Sequence, residues 1–364
     1  MSEGLRLLVL AGDGIGPEIT RAALNVLAAV DRALGLHLHF EHTEVGFAAL
    51  EAHGSTCPDD VIVRARLAHG VILGPVSHLE YPPPDRGGRN PSGALRKQLD
   101  LYANIRPARS RVGFPPRCGH DVDLVIVREN TEGFYADRTM FFGNGEFMPT
   151  PDLALAVRKV TRGGSIRIAE AAFEIAMQRP RKRVTAVHKA NVLRVSDGLF
   201  LECVRDVAKR FPEVAYEERL IDAMAAHLVR NASEFDVVVT TNMFGDILSD
   251  QATEIAGSLG MAASLNVGAE HAVAQAQHGS APDIAGQDRA NPSSLIGSAA
   301  MLFAWLGEKR NDDRLTRAAE IIEAALDAAI AKPEWRTGDL GGPLGTQAFA
   351  DRVGALVDEL AQKS

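Results

Sequence analysis

Cysteine is scarce: Cys57, Cys118 and Cys203 are the only three in a chain of 364 residues. They are odd in number and far apart, and no spacing among them matches a zinc motif or a disulfide framework, which fits a reducing cytosol. Positive charge is in deficit too. Against 47 acidic residues stand 39 lysines and arginines, for a net charge of -8, so no overall field draws in a phosphate backbone or an anionic membrane. Nucleic acid is therefore not an expected partner. Long apolar runs are missing as well. The first, residues 5–10, is broken by Arg6 and leads into Gly12-Asp13-Gly14 instead of a small-residue cleavage site. It reads as a buried strand, and no run approaches the roughly 20 residues of a membrane-spanning helix. There is no internal repeat and no low-complexity tract.

What is present is the composition of an ordinary globular protein, 46% hydrophobic and 24% charged, at a length that suits two domains or one elongated unit. Short apolar runs alternate with amphipathic segments, the pattern of an α/β fold. Strands are expected at residues 7–10, 70–73, 124–128, 184–188 and 236–240, and helices at 18–34, 165–178, 199–210 and 314–330. In the last helix Leu315, Ala319, Ile322 and Leu326 share one face, which core packing explains. Residues 77–93 are dense in proline, glycine and charge, as in a linker or a mobile binding segment. Residues 138–152 carry Phe141, Phe142, Phe147 and Met148 among glycine and proline, which points to an arm packed on another surface, a second subunit included. The basic run Arg179, Arg181, Lys182 and Arg183 lies between a helix and a strand and is expected to be a solvated turn.

The chemistry begins at Asn242-Met243-Phe244-Gly245-Asp246-Ile247-Leu248-Ser249-Asp250, which follows a strand and opens a helical pattern. One turn of helix puts the carboxylates of Asp246 and Asp250 on the same face. Such a pair is either a charge pattern near a helix N-terminus or an oxygen site for Mg2+ or Mn2+. Arg96, Arg106 and Arg128 each stand at the edge of an element. Singly they are surface charges; converging near a metal they would clamp a di- or tricarboxylate.

Six segments then carry a family resemblance: Gly12-Asp13-Gly14-Ile15-Gly16-Pro17-Glu18, Leu99-Asp100-Leu101-Tyr102-Ala103-Asn104-Ile105-Arg106-Pro107, Arg128-Glu129-Asn130-Thr131-Glu132-Gly133, His188-Lys189-Ala190-Asn191-Val192-Leu193, Gly245 to Asp250, and His278-Gly279-Ser280-Ala281-Pro282-Asp283-Ile284-Ala285-Gly286. In this order they resemble the isocitrate, isopropylmalate and homoisocitrate dehydrogenases. The resemblance implies a two-domain α/β fold with a continuous mixed sheet and an active-site cleft between domains. It places the cofactor domain at residues 1–103 plus 256–364 and the substrate and dimerisation domain at 104–255. It implies a cytoplasmic homodimer with shared sites, oxidising and decarboxylating a 3-substituted malate with NAD and Mg2+ or Mn2+. Arg96, Arg106 and Arg128 match the carboxylate clamp, and Asp246 and Asp250 match metal ligands. Asp222 matches a third ligand, given by the neighbouring subunit. Tyr135 and Lys189 match the acid-base pair, the lysine again crossing over.

Gly12-Asp13-Gly14-Ile15-Gly16 has the spacing G-x-G-x-G, with no convincing acidic residue about 20 positions on, a departure from the Rossmann fingerprint; the resemblance implies a turn that lies near the cofactor without being a Rossmann phosphate loop. The resemblance assigns cofactor recognition to His278, Gly279, Ser280, Ala281, Asp283 and Asn291. The Asp283 carboxylate can accept from both adenosine ribose hydroxyls and would repel a 2′-phosphate, which favours NAD. Gln275-Ala276-Gln277 departs from the Glu-Pro-Val or Glu-Ser-Val usual in relatives, where the resemblance implies a glutamate near the nicotinamide that bears on cofactor positioning. For the substrate, isopropylmalate enzymes resemble one another in a leucine wall before the clamp arginine, whereas Asn90 and Ser92 stand there in this chain. Polar groups favour a carboxylate, as in isocitrate or homoisocitrate. Isopropylmalate, tartrate or an aromatic malate remain alternatives. Asn90 and Ser92 also suit capping of the following helix, a compatible role. A non-catalytic regulatory subunit is the rival from another class; such chains lose the tyrosine, the lysine or a metal aspartate, and this one keeps them all.

Overall fold

The computed structural model describes residues 4–135, 140 and 145–363. Twelve strands are present among them: β1 (Leu5–Leu10), β2 (Leu38–His42), β3 (Gly70–Leu73), β4 (Ala103–Arg109), β5 (Asp123–Glu129), β6 (Glu146–Thr150), β7 (Leu153–Ala156), β8 (Arg183–His188), β9 (Ala215–Leu220), β10 (Val237–Thr240), β11 (Leu265–Val267) and β12 (Ala272–Gln275). Eleven helices accompany them: α1 (Gly16–Leu34), α2 (Phe47–His53), α3 (Asp59–Leu67), α4 (Pro91–Gln98), α5 (Arg162–Gln178), α6 (Ser196–Ala208), α7 (Ile221–Asn231), α8 (Asn242–Ala256), α9 (Ser293–Arg310), α10 (Asp313–Ala331) and α11 (Thr346–Gln362). None is long and apolar enough to cross a membrane.

Ten strands form one sheet in the order β2-β1-β3-β12-β11-β4-β5-β10-β8-β9. The flanks are parallel, and their inner strands β1, β3, β8 and β10 read as near-continuous apolar runs because helices cover both faces. At the centre β11 and β4 run antiparallel to their neighbours and join the two flanks. On one flank α1, α9, α10 and α11 bury a core that includes Ile19, Leu295, Phe303, Ile322 and Phe349. On the other, α5 and α6 pack with Phe173 and Phe200, and α8 packs through Leu248 and Ala252 on the opposite face.

The β4–β5 register positions the site. Asn104 lies opposite Arg128, and Arg106 opposite Ile126. Directly opposed residues of an antiparallel pair point to the same face, so both arginines rise on the side where Leu124 and Ile126 meet α8.

One expectation changes. The basic run is not simply solvated: Arg179 Nε donates to the fully buried Asp236 carboxylate at 2.5 Å, and Arg183 N donates to it at 3.2 Å. The run neutralises a charge that the end of β10 buries. The segment from 77 to 90 is tied back to the body of the chain, with Ser77 N at 3.0 Å from Asp13 Oδ2, the Tyr81 hydroxyl on the same carboxylate, and Arg89 N at 2.7 Å from Thr56 Oγ1, and residues 91–93 open α4. In the arm, Phe141 and Phe142 lie outside the described residues, whereas Phe147 and Met148 sit exposed on β6, paired with β7.

Candidate active site

The cleft, of about 210 Å3, opens where the central strands meet α4 and α8, and Asn90, Ser92, Arg96, Arg106, Arg128, Tyr135 and Asp246 all line it. Arg96, Arg106 and Arg128 are 9%, 5% and 2% exposed. Buried guanidinium groups need counter-charge and acceptors, and α8 supplies them. Arg106 Nη1 donates to Asp246 Oδ1 at 3.1 Å, Ser249 Oγ at 2.8 Å and Asp250 Oδ1 at 3.3 Å. Arg128 donates to Asp246 and, through Nε and Nη2 at 3.0 and 2.7 Å, to Asn242 Oδ1. Gly245 lets α8 approach this closely, since a Cβ there would lie 2.6 Å from Arg128 Cγ.

Burial pushes the Asp246 carboxyl up, but Arg128, Arg106 and Arg96 outweigh it and hold the group below its ordinary range. Asp250, one turn on, is raised, because burial prevails there over the Gln277 amide and Arg106. Burial, with Arg128 alongside, brings Arg106 down to about 10. The Tyr135 hydroxyl lies 3.4 Å from Asp246 Oδ2.

Asn90 and Ser92 divide their roles in a way spacing did not show. Asn90 is the cap of α4, accepting from Gly93 N at 3.2 Å, with Pro91 in the first turn. Ser92 is therefore inside the helix and is not a cap; its Oγ donates to Gln275 Oε1 at 3.0 Å. The resemblance sets position 275 near the nicotinamide but gives no role to Gln277, for which the departure from the usual family segment is the available signal. Gln277 Nε2 donates to Asp250 Oδ1 at 2.7 Å.

Lys189 and Asp222 do not join this group. They pair with each other, Nζ to Oδ1 at 2.5 Å, with side chains 26% and 65% exposed. Among the described residues no three His, Cys, Asp or Glu side chains of one chain are placed to hold a metal. Asp246 Oδ1 and Asp250 Oδ1 do converge on the single Arg106 Nη1, a geometry that a divalent cation with oxygen ligands fits.

At the far end of the cleft His278 is set by Nδ1, 3.0 Å from Gly279 O, while its Nε2 is buried without a partner. Burial lowers its pKa, favouring the neutral ring. Ala281 adopts φ 37° and starts the turn Pro282–Ile284, which exposes Asp283. The β1–α1 turn packs directly against this segment: Ile15 N donates to Ser280 O at 2.8 Å, and a Cβ on Gly14, whose φ is 57°, would lie 2.0 Å from that oxygen. Glu18 Oε2 accepts from Gly286 N at 3.0 Å. Asn291 is buried and donates to Asp339 at 3.0 Å. The orphaned His278 nitrogen, the exposed Asp283 and the ordered backbone between them form a surface that a dinucleotide fits.

The family model for isocitrate/isopropylmalate dehydrogenase matches residues 6–353. The isocitrate/homoisocitrate dehydrogenase of Thermus thermophilus is 42% identical over 351 residues, 96% of this chain and 97% of its own length. The 3-isopropylmalate dehydrogenase of Sulfurisphaera tokodaii is 38% identical, with 96% of this chain and 98% of that one covered. Among solved structures, the isocitrate dehydrogenase of Methylococcus capsulatus superimposes with a TM-score of 0.86 at 39% identity, over 97% of this chain and 99% of that one.

Proposed function

We propose that this chain, which belongs to the isocitrate/isopropylmalate dehydrogenase family and is with it an oxidatively decarboxylating dehydrogenase, takes a malate whose carbon-3 substituent carries a carboxylate. Isocitrate and homoisocitrate are the type. The observation that carries the reading is the convergence of three buried guanidinium groups with polar Asn90, Ser92 and Gln275 in one cleft.

Arg96, Arg106 and Arg128 bind and orient the malate carboxylates, exchanging the Asp246 counter-charge for that of the substrate. His278 through Asn291 would hold NAD, which when bound would supply the acceptor for the hydride of carbon 2. Lys189 of a second copy takes the hydroxyl proton, and after carbon dioxide leaves, the Tyr135 hydroxyl returns a proton to carbon 3. Asp246 and Asp250, with Asp222 of the second copy, would hold Mg2+ or Mn2+, which would supply Lewis-acid stabilisation for the charge gathering on the carbonyl oxygen. The outward Lys189–Asp222 pair, the exposed Val192 and Val195 beside it and the apolar β6–β7 hairpin support a homodimer with shared sites. Residues 1–103 with 256–364 act as the cofactor domain and 104–255 as the substrate domain, in the cytoplasm.

The test is the ranking of substrates by kcat/KM. A donor left unpaired against an alkyl group costs about 1 to 3 kcal/mol, roughly ten- to a hundredfold. Isocitrate or homoisocitrate should therefore exceed 3-isopropylmalate, and Asn90→Leu with Ser92→Leu should narrow or reverse the order. A wild type that prefers isopropylmalate sinks the substrate assignment. Cofactor choice is tested by Asp283→Lys with Ile284→Tyr, which removes the repulsion of a 2′-phosphate and adds a cation for it. The double variant should shift preference toward NADP by at least about tenfold; an unchanged preference would take Asp283 away from the ribose.

A further inference from the structure

We infer that Asp197 is a positioning residue for Lys189: its buried carboxylate, balanced by Arg158, fixes the main chain from which that lysine reaches the site of a second copy. The inference rests on the reading of Lys189 above as the base of a shared site and adds to it the group that aims the lysine.

Lys189 follows the last residue of β8, where the main chain leaves the sheet, and the loop beyond it is open to solvent, with Val192 67% and Val195 88% exposed. Both main-chain groups of Lys189 are nevertheless occupied. Its carbonyl accepts from Val192 N at 3.0 Å and from Leu193 N at 2.8 Å. Its N–H donates to Asp197 Oδ2 at 2.5 Å, in the first turn of α6, and Asp197 N donates back to Leu193 O at 3.0 Å.

The carboxylate that holds the lysine is fully buried. Water would satisfy a main-chain N–H at the end of a strand at little cost, whereas a buried carboxylate must be given a counter-charge and further donors. Arg158, its side chain 9% exposed, supplies them: Nη1 donates to Asp197 Oδ1 at 2.5 Å and to Ser196 Oγ at 2.9 Å, and Nη2 to Thr241 Oγ1 at 3.0 Å. The arginine is pinned in turn. Its neighbour Lys159 pairs through the main chain with Gly133 at 2.8 and 2.9 Å, and its guanidinium lies 5.5 Å from the centre of the Phe244 ring. A buried ion pair therefore makes rigid the root of a side chain whose head turns outward, away from the cleft of its own chain, to Asp222. A lysine that must reach across an interface needs such a root, since a misplacement of about 1 Å at a reacting group can cost on the order of a hundredfold in rate.

The two partners differ in reach. Arg158 also touches Thr241, the residue before α8, and so bears on Asp246 of its own chain, whereas the Asp197 carboxylate bonds to Lys189 N and Arg158. Asp197 is the position that separates the lysine's effect from that of the chain's own cleft.

The experiment uses mixed dimers purified through two different tags, one chain Lys189→Ala and the other Arg106→Ala, so that each dimer has one complete site. Asp197→Asn is placed either in the Arg106→Ala chain, which gives the lysine, or in the Lys189→Ala chain, which does not. Both dimers carry the same substitutions, so a general loss of stability weighs on them alike. In the chain that gives the lysine, the change should lower kcat at least about tenfold and leave KM within about threefold for the 3-substituted malate that wild type turns over fastest, because Arg96, Arg106 and Arg128 of the other chain are untouched. In the chain that does not, kcat should fall by less than about threefold. Equal falls in both placements, or none in either, overturn the inference and leave the shared site standing. A parent mixed dimer without activity overturns the shared site and this inference with it. Where Asp197→Asn does not assemble, Asp197→Ser, which leaves room for a water beside Arg158, takes its place with the same asymmetry expected.

Discussion

Asp246→Asn should lower turnover on the order of a hundred- to a thousandfold and weaken Mn2+ binding at least about tenfold, because a charged oxygen ligand is lost while the shape of the side chain is kept. The carboxylate has two employments. Its Oδ1 meets both Arg106 and Arg128, and its Oδ2 lies 3.4 Å from the Tyr135 hydroxyl. An asparagine can still accept from the arginines but cannot balance them, so two guanidinium groups at 5% and 2% exposure lose their nearest full counter-charge. Mn2+ titration by electron paramagnetic resonance, run beside the rate assay, separates metal affinity from a general loss of fold. Unchanged Mn2+ affinity together with unchanged turnover would remove Asp246 from the metal site.

The second large effect is complementation between two dead chains. Lys189 points away from the cleft of its own chain, with Nζ on Asp222, while Arg106 lies at the floor of that cleft. Homodimers of Lys189→Ala and of Arg106→Ala should each keep less than about 1% of activity. After subunit exchange half the dimers are mixed, and in each one site holds an intact Arg106 from one chain and an intact Lys189 from the other. Recovery should approach roughly a quarter of wild type. Exchange demonstrated by mass spectrometry without recovery would show that each chain completes its own site.

Much of this arrangement is legible in the chain, and the parts that are not share physical causes. β3 occupies residues 70–73 as its apolar run demands, and α10 buries Leu315, Ala319, Ile322 and Leu326 on the expected face. Parallel strands covered on both faces announce themselves. The edge strand β9, with Glu217, Glu218 and Arg219 in it, and the three-residue β11 do not, because the one is largely polar and the other too short to show a pattern. α6 begins at Ser196, earlier than residue 199, because Gly198 is carried inside the helix with no neighbour in the way. At the site, the spacing of Asp246 and Asp250 puts both carboxylates on one helix face, while a metal role for them is implied only by the family resemblance. That Arg106 and Arg128 meet them depends on the β4–β5 register, which no local pattern contains. Ser92 was mistaken for a possible cap because Pro91 at the first helical position moves the cap back to Asn90. Gln275 and Gln277 do their work through partners on α4 and α8, a relation only the folded chain displays.

The most direct test of the central claim is to mix the purified protein with NAD, Mn2+ and a panel of 3-substituted malates, and to follow absorbance at the NADH band alongside carbon dioxide release. The account predicts NADH and carbon dioxide in equal amounts with isocitrate or homoisocitrate, abolished by a chelator. No NADH with any member of the panel, from protein that still binds the hydroxy acid, would contradict it and favour a non-catalytic metabolite-binding subunit.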